Sequence, residues 1–187
     1  MKKAKEIIVP AVALFIICLV STFLLGGTNL LTKDKIAEVA EKSAQQARLN
    51  VCPDAVSFSE KEVTVDGVNY TVFEGLSADK KTVGYAVSAY DKSYGGEIQV
   101  MTGFDSEMKI TGVEILSIDD TPGLGMNAKK ADFRNQFAGK TGALSVSKQA
   151  SADDEIQALT GATITSKAVT RCVNAAFSAV NSLGGEN

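Results

Sequence analysis

The sequence predicts an α+β fold: a curved antiparallel sheet flanked by helices and preceded by one N-terminal transmembrane helix. Three observations predict it. An uncharged apolar run lies near the N-terminus, the middle of the chain alternates apolar and polar residues with period two between short links, and helical periodicity frames that stretch on both sides. The length of 187 residues leaves room for one compact domain beyond the apolar run.

The elements follow in order. Ile7–Leu25 is uncharged and apolar, close to the roughly 20 residues a helix needs to cross a hydrocarbon core. Pro10 sits in its first turn, where a missing N–H costs little, and Gly26-Gly27-Thr28-Asn29 is expected to end it. The run exceeds the usual signal-peptide core of about 7–15 residues and no A-x-A site follows, which favours a retained anchor over a cleaved leader. Lys2, Lys3 and Lys5 precede it and an acidic excess follows, so the N-terminus is expected in the cytoplasm and the bulk of the chain outside, anchored by a single pass in the cytoplasmic membrane.

Within residues 33–49, Ile36, Val39, Ala40, Ala44 and Ala47 form one stripe at helical spacing, expected to pack on the chain's own domain, with a partner as the alternative. Beyond Pro53 the period changes to two. Val63-Thr64-Val65, Asp66-Gly67 and Val68–Phe73 spell a hairpin, and Thr82–Tyr90, Glu97–Phe104 and Lys109–Leu116 continue it as a meander. Ala128–Phe137 reads as a helix with Phe133 and Phe137 stacked at i, i+4, Ala143–Ser147 as a short strand, and Ser166–Leu183 as a helix burying Val169, Cys172, Val173, Ala176 and Val180. The organisation is therefore 1–29 for the lysines and anchor, 30–52 for a helical connector, and 53–187 for an extracytoplasmic domain.

Composition excludes several chemistries. There is no histidine, which removes the commonest general base, metal ligand and haem ligand. Cys18, Cys52 and Cys172 have no CxxC spacing, so no iron–sulfur or zinc site is expected, and whether Cys52 and Cys172 pair is left open by their spacing. A net charge of −3 without a basic stripe argues against a nucleic-acid partner. Trp is absent, so a flat ligand must be walled by Tyr or Phe.

Two motifs remain. Leu159-Thr160-Gly161-Ala162-Thr163-Ile164-Thr165-Ser166 precedes the last helix, where free N–H groups and the dipole favour a phosphate and Lys167 adds a cation. On its own it reads as a structural helix cap more readily than as a cofactor site. Asp120-Thr121-Pro122-Gly123-Leu124-Gly125 suits a type II turn with a glycine that lets a ligand approach, and on its own reads as a plain tight turn.

Together, in this order and behind Tyr94-Gly95-Gly96 and the Ile98–Val100 strand, the motifs resemble the FMN-binding domain family, most closely its branch of G subunits of Rnf electron-transport complexes. The match spans essentially the whole chain. The longer C subunits of sodium-pumping NADH:quinone oxidoreductases share both motifs. The resemblance implies that Thr165 carries FMN in a phosphoester, attached by a separate flavin transferase. Thr160, Gly161, Ala162 and Thr163, with Ser166 and Lys167, shape the attachment loop, while Thr121, Gly123, Leu124 and Gly125 lie near the cofactor. Tyr94 stacks on the ring system or, alternatively, belongs to the core.

Implied partners are the membrane subunits of a complex that couples electron flow between ferredoxin and NAD to ion movement. The chain is then a redox subunit with no catalytic side chains and no metal. Three departures stand out: the family's acid eight residues before the modified Thr is Gln157 here, Asp120 replaces a Glu, and the His often found shortly before the turn motif has no counterpart. A flavin-free anchored assembly or ligand-binding protein, a C subunit of a sodium-pumping NADH:quinone oxidoreductase and a free-standing FMN reductase are the competing readings.

Overall fold

The computed structural model describes residues 2–184, with side chains from 7 to 183. Its chain separates into two compact units, Met1–Lys42 and Ser43–Asn187.

The first unit is helix. Helix α1 runs Lys2–Val51, and the large apolar side chains of its 7–25 stretch are exposed, Phe23 at 77% and Leu25 at 73%. A helix apolar all round and covered by nothing is the pattern of a segment solvated by lipid. The helix does not end at Gly26–Asn29 as residue type predicted. Each glycine costs an interior helix only about 1 kcal/mol against alanine, which a long helix on both sides absorbs. Of the stripe expected to pack on its own domain, Ala47 belongs to the second unit and is buried there, with Val51 one turn further on.

The second unit holds a five-stranded meander in the order β1-β2-β3-β4-β5, antiparallel throughout. Its strands are β1 Ser57–Val65, β2 Val68–Leu76, β3 Thr82–Lys92, β4 Glu97–Asp105 and β5 Ile110–Ser117. The β1–β2 turn has Asp66 at φ 50 and Gly67 at φ 79, the two positive values of a type I′ turn, which matches the twist of the strands it joins. Register shifts at Gly75/Leu76, Gln99/Val100 and Gly103/Phe104 bend the sheet.

Each face of the sheet is covered by a different helix. On one face Val87, Ala89, Ile98, Val100, Phe104 and Val113 pack with Val169, Cys172, Val173, Ala176 and Val180 of α3, Thr163–Gly184. On the other, Ala86 and Met101 pack with Ala47 and Val51, and the Arg48 guanidinium lies 4.1 Å over the Phe73 ring. Cys52 fits against the bare backbones of Gly75 and Gly84 on this second face, whereas Cys172 belongs to the first. Both thiols are free, with the sheet between them. Burial, aided by Asp91, pushes the Cys172 thiol up to about 12, so it stays protonated.

Two differences from the predicted elements concern the stretch before α3. The helix expected over 128–137 is a 3-10 turn at Gly125–Lys129, α2 at Ala131–Arg134 and a second 3-10 turn at Asn135–Phe137. Lys130 is extended between the first two, at ψ 144. Ala128 and Phe133, five residues apart, would lie on different sides of one continuous helix. The break lets both be buried while Phe133 and Phe137 keep their edge contact at 5.6 Å. The predicted strand at 143–147 is β6, Ser145–Ser147, paired in parallel with β7, Glu155–Gln157.

Candidate functional site

The Asp120–Gly125 segment leaves the end of β5 as a tight turn. The Leu124 N–H donates to the Thr121 carbonyl at 3.2 Å, and Gly123 has φ +78. Pro122 at the second position and a positive φ at the third make it the type II turn that the residues predict. Asn127 Nδ2 donates to the Gly123 carbonyl at 2.7 Å and ties the turn to the 3-10 segment after it.

Facing it is the start of α3, which begins at Thr163, three residues earlier than its periodicity indicated. Thr165 is thus in the first turn, among N–H groups that have no partner within the helix. Gly161 at φ +72 turns the chain into it. Ser166 is fully buried and staples the loop: its Oγ accepts from the Leu159 N–H at 2.9 Å and donates to the Ala162 carbonyl at 3.0 Å.

Between turn and helix lies a cavity of about 440 Å³ lined by Tyr94, Asp120, Thr121, Leu124, Gly125 and residues 161–165. Its size falls within the roughly 300–1,000 Å³ usual for small-molecule sites. Tyr94, Leu124 and Ile164 expose 72%, 44% and 54% of their surface around it, an apolar rim suited to a flat aromatic ring. Tyr94 is therefore a rim residue and not a core one.

Thr165 sits at the floor of this cavity with only 1% of its surface exposed. Its hydroxyl donates to Asp120 Oδ2. Asp120, itself 3% exposed, also receives the Ser93 hydroxyl on Oδ2 at 2.5 Å and the Gly95 N–H on Oδ1 at 2.6 Å. Burial acts to raise the Asp120 pKa, but the three donors together outweigh it and hold the carboxyl below its ordinary value. An ionised carboxylate only accepts, so both hydroxyl protons point at it and the free lone pairs of Thr165 Oγ1 point elsewhere. Gly125 closes the arrangement, since a Cβ there would stand 2.5 Å from Asp120 Oδ2 and 2.6 Å from Thr165 Oγ1.

The structure thus brings Thr165, Gly161, Ala162, Thr163, Thr121, Leu124, Gly125 and Tyr94 to one cavity. Four residues from the same motifs do not line it. Thr160 borders a separate recess with Asp132, Gln136 and Gln157, Gly123 supplies only the turn, Ser166 is turned inward, and Lys167 is exposed on α3. Gln157 has its backbone clasped by the Gln136 side chain, which accepts from its N–H at 2.8 Å. The motifs alone did not mark Asp120, Ser93 and Ile164 as site members. The available signal was the acid that opens the turn motif, Asp120, directly before Thr121.

The cavity, its exposed apolar rim with Tyr94 and the helix N-terminus fit a flavin mononucleotide: room for rings at the rim, and free N–H groups and a hydroxyl for the phosphate. Comparisons with known proteins agree. Residues 93–178 match the FMN-binding domain, and residues 1–51 match the RnfG N-terminal region. The G subunit of the proton-translocating ferredoxin:NAD(+) oxidoreductase complex of Clostridium ljungdahlii is 35% identical, covering 92% of this chain and 90% of that one. The G subunit of the Na(+)-translocating complex of Acetobacterium woodii is 38% identical over 86% of this chain and 85% of its own. In fold, the C subunit of the Na(+)-translocating NADH-quinone reductase from Parabacteroides distasonis is similar, with a TM-score of 0.59 at 22% identity over 81% of this chain and 93% of that one.

Proposed function

The chain belongs to the family of G subunits of ion-translocating ferredoxin:NAD(+) oxidoreductase complexes, built on the FMN-binding domain, and from that membership we propose that Thr165 carries the flavin as a covalent phosphoester. It is a membrane-anchored, electron-carrying flavoprotein subunit of such a complex, and its neighbours are the other subunits. When bound, FMN supplies the redox chemistry, and the protein supplies position and tuning.

The observation that carries the covalent reading is the Thr165 hydroxyl: it stands at the cavity floor, in the first turn of α3, held by Asp120. The first-turn N–H groups suit a phosphate, small residues at Gly161 and Ala162 leave it room, and Tyr94, Leu124 and Ile164 border the space for the ring. A covalent link also keeps the cofactor's local concentration independent of supply, which matters for a domain outside the cell. The topology belongs to the same proposal: the anchor lies within 1–29, residues 30–52 connect, and 53–187 face the extracytoplasmic side, where a flavin transferase modifies them. Ile7–Leu25 contains no Asp, Glu, Lys, Arg or His, so the ion path belongs to the partners. Similar identity to a proton-translocating and a sodium-translocating relative agrees with the ion being chosen elsewhere.

Coexpression with a flavin transferase, followed by denaturing electrophoresis with in-gel fluorescence and by intact mass, tests this. The wild type is expected to carry one FMN and Thr165→Ala none, with the variant still folded. A dark wild-type band beside a labelled control acceptor would sink the covalent reading and favour an anchored, flavin-free member of the fold.

A further inference from the structure

We propose that Asp120 is the proton acceptor for flavin attachment, so that this chain brings its own base to the modification of Thr165. The inference rests on the reading of Thr165 as the attachment site, and it concerns how the hydroxyl is made to react.

A threonine hydroxyl is a weak nucleophile whose proton must leave as its oxygen bonds to phosphorus. Protein phosphorylation meets the same need with an aspartate that accepts the substrate hydroxyl proton. Here the acceptor chain holds that pair already. Thr165 Oγ1 donates to Asp120 Oδ2, and Ser93 and the Gly95 N–H fix the carboxylate from two further directions. Because the proton faces Asp120, the lone pairs of Oγ1 are free for the phosphorus. Asp120 and Tyr94 are the titratable side chains lining the cavity, and Asp119 beside it is exposed, so no neighbouring cation there competes for the carboxylate.

The step balances without an oxidant or reductant. The co-reactant is flavin adenine dinucleotide, delivered by the transferase. The Oγ1–P bond to the FMN phosphorus forms, the bridging P–O bond to the adenylate breaks, and AMP leaves with that electron pair. The Thr165 proton passes to Asp120 Oδ2 and on to solvent. Negative charge at the phosphorus faces the N-terminal turn of α3, whose dipole offsets the nearby carboxylate. Thr165 is 1% exposed at the cavity floor, so the phosphorus reaches Oγ1 from the cavity between the 121–125 turn and α3.

Rates of FMN incorporation into wild type and Asp120→Asn, measured with one transferase across about pH 6 to 8, test the proposal. The variant keeps the shape and loses the base, so incorporation is expected to fall about 100-fold or more. Its residual rate needs hydroxide, so the wild-type to variant ratio shrinks about tenfold per pH unit as pH rises, a dependence from which the transferase's own titration cancels. Incorporation within about threefold of wild type, or a ratio constant with pH, overturns the proposal. A wild type that takes up no label instead refutes the attachment site itself. Carbon NMR titration of the Asp120 carboxyl gives a second decision that needs no variant to fold. Attachment removes the Thr165 donor and adds a phosphodiester anion, so the carboxyl is expected to titrate higher in labelled than in bare protein. An unchanged titration would show that Thr165 Oγ1 was not its partner.

Discussion

Two seams in the second unit are built alike and do different things. At the first, the C-terminal end of α1 meets the sheet: Thr111 Oγ1 donates to the Val51 carbonyl, and a Cβ on Gly103 would collide with that same oxygen. At the second, the N-terminal turn of α3 meets the 121–125 turn, with Thr165 donating to Asp120 over Gly125. Each joins a helix end, a hydroxyl and a glycine that leaves no room for a methyl. The first joins neutral groups against a buried cluster of Ala47, Val51, Ala86 and Met101. The second holds a buried carboxylate at the floor of a cavity. Close packing at a glycine is thus a device for stability or for chemistry, and an ionisable group beside open volume decides which.

The comparison breaks first at Gly103. A methyl there meets backbone, which cannot rotate away, so Gly103→Ala is expected to cost about 3 kcal/mol, at the upper end for overpacking. Thermal melts of the detergent-solubilised chain should drop by several degrees, while the protein that remains folded still accepts flavin at the normal rate. Normal melting would mean that the helix end slides freely and the seam is not tight.

Gly125→Ala is the matching change at the second seam. Its methyl meets side-chain atoms of Asp120 and Thr165 that can give way, so the stability cost is smaller, about 2 kcal/mol. The displaced hydroxyl should lower flavin incorporation in the folded fraction, in contrast to Gly103→Ala. Equal incorporation by the two variants would erase the distinction between the seams.

A third test uses acid. Asp120 has a folded pKa below its ordinary 3.8, because the donors from Ser93, Thr165 and Gly95 outweigh its burial. A depressed carboxylate stabilises the fold fully above the unfolded value, and that contribution is lost as pH falls through the folded value. The stability gap between wild type and Asp120→Asn should therefore be constant near neutrality and narrow below about pH 4. The Gly103→Ala gap should not change over the same range. Parallel melts at several pH values check both.

How much of this was legible in the residues depends on the range of the interactions. Asp66-Gly67 and Thr121-Pro122-Gly123 announce their turns because a turn is decided within four residues, and the five strands followed from alternation. Gly26-Gly27 misled because a local propensity of about 1 kcal/mol per residue is weak against a long helix. The parallel pair β6–β7 has three residues on each strand, too few for a period to show. Thr165 was found through its motif, yet its bond to Asp120 spans 45 positions and the Ser93 bond 27. No periodicity encodes such contacts. Gly103 looked like any strand residue for the same reason, since its counterpart Val51 lies in another element.

The finest test removes one hydroxyl donor from each seam. Thr111→Val deletes a neutral bond to the Val51 carbonyl, which is expected to cost about 1 kcal/mol. Ser93→Ala deletes a bond to an ionised, buried carboxylate, for which the cost is about 2 kcal/mol, because charge-assisted bonds are stronger and the remaining donors cannot replace the lost one. The expected difference, about 1 kcal/mol, is small but signed, and it carries the physical claim that separates the two regions. Should Thr111→Val prove the more damaging, the carboxylate would be reaching solvent through the cavity and compensating there. Asp120 would then be less firmly held than its three bonds indicate, and its hold on the Thr165 hydroxyl correspondingly looser.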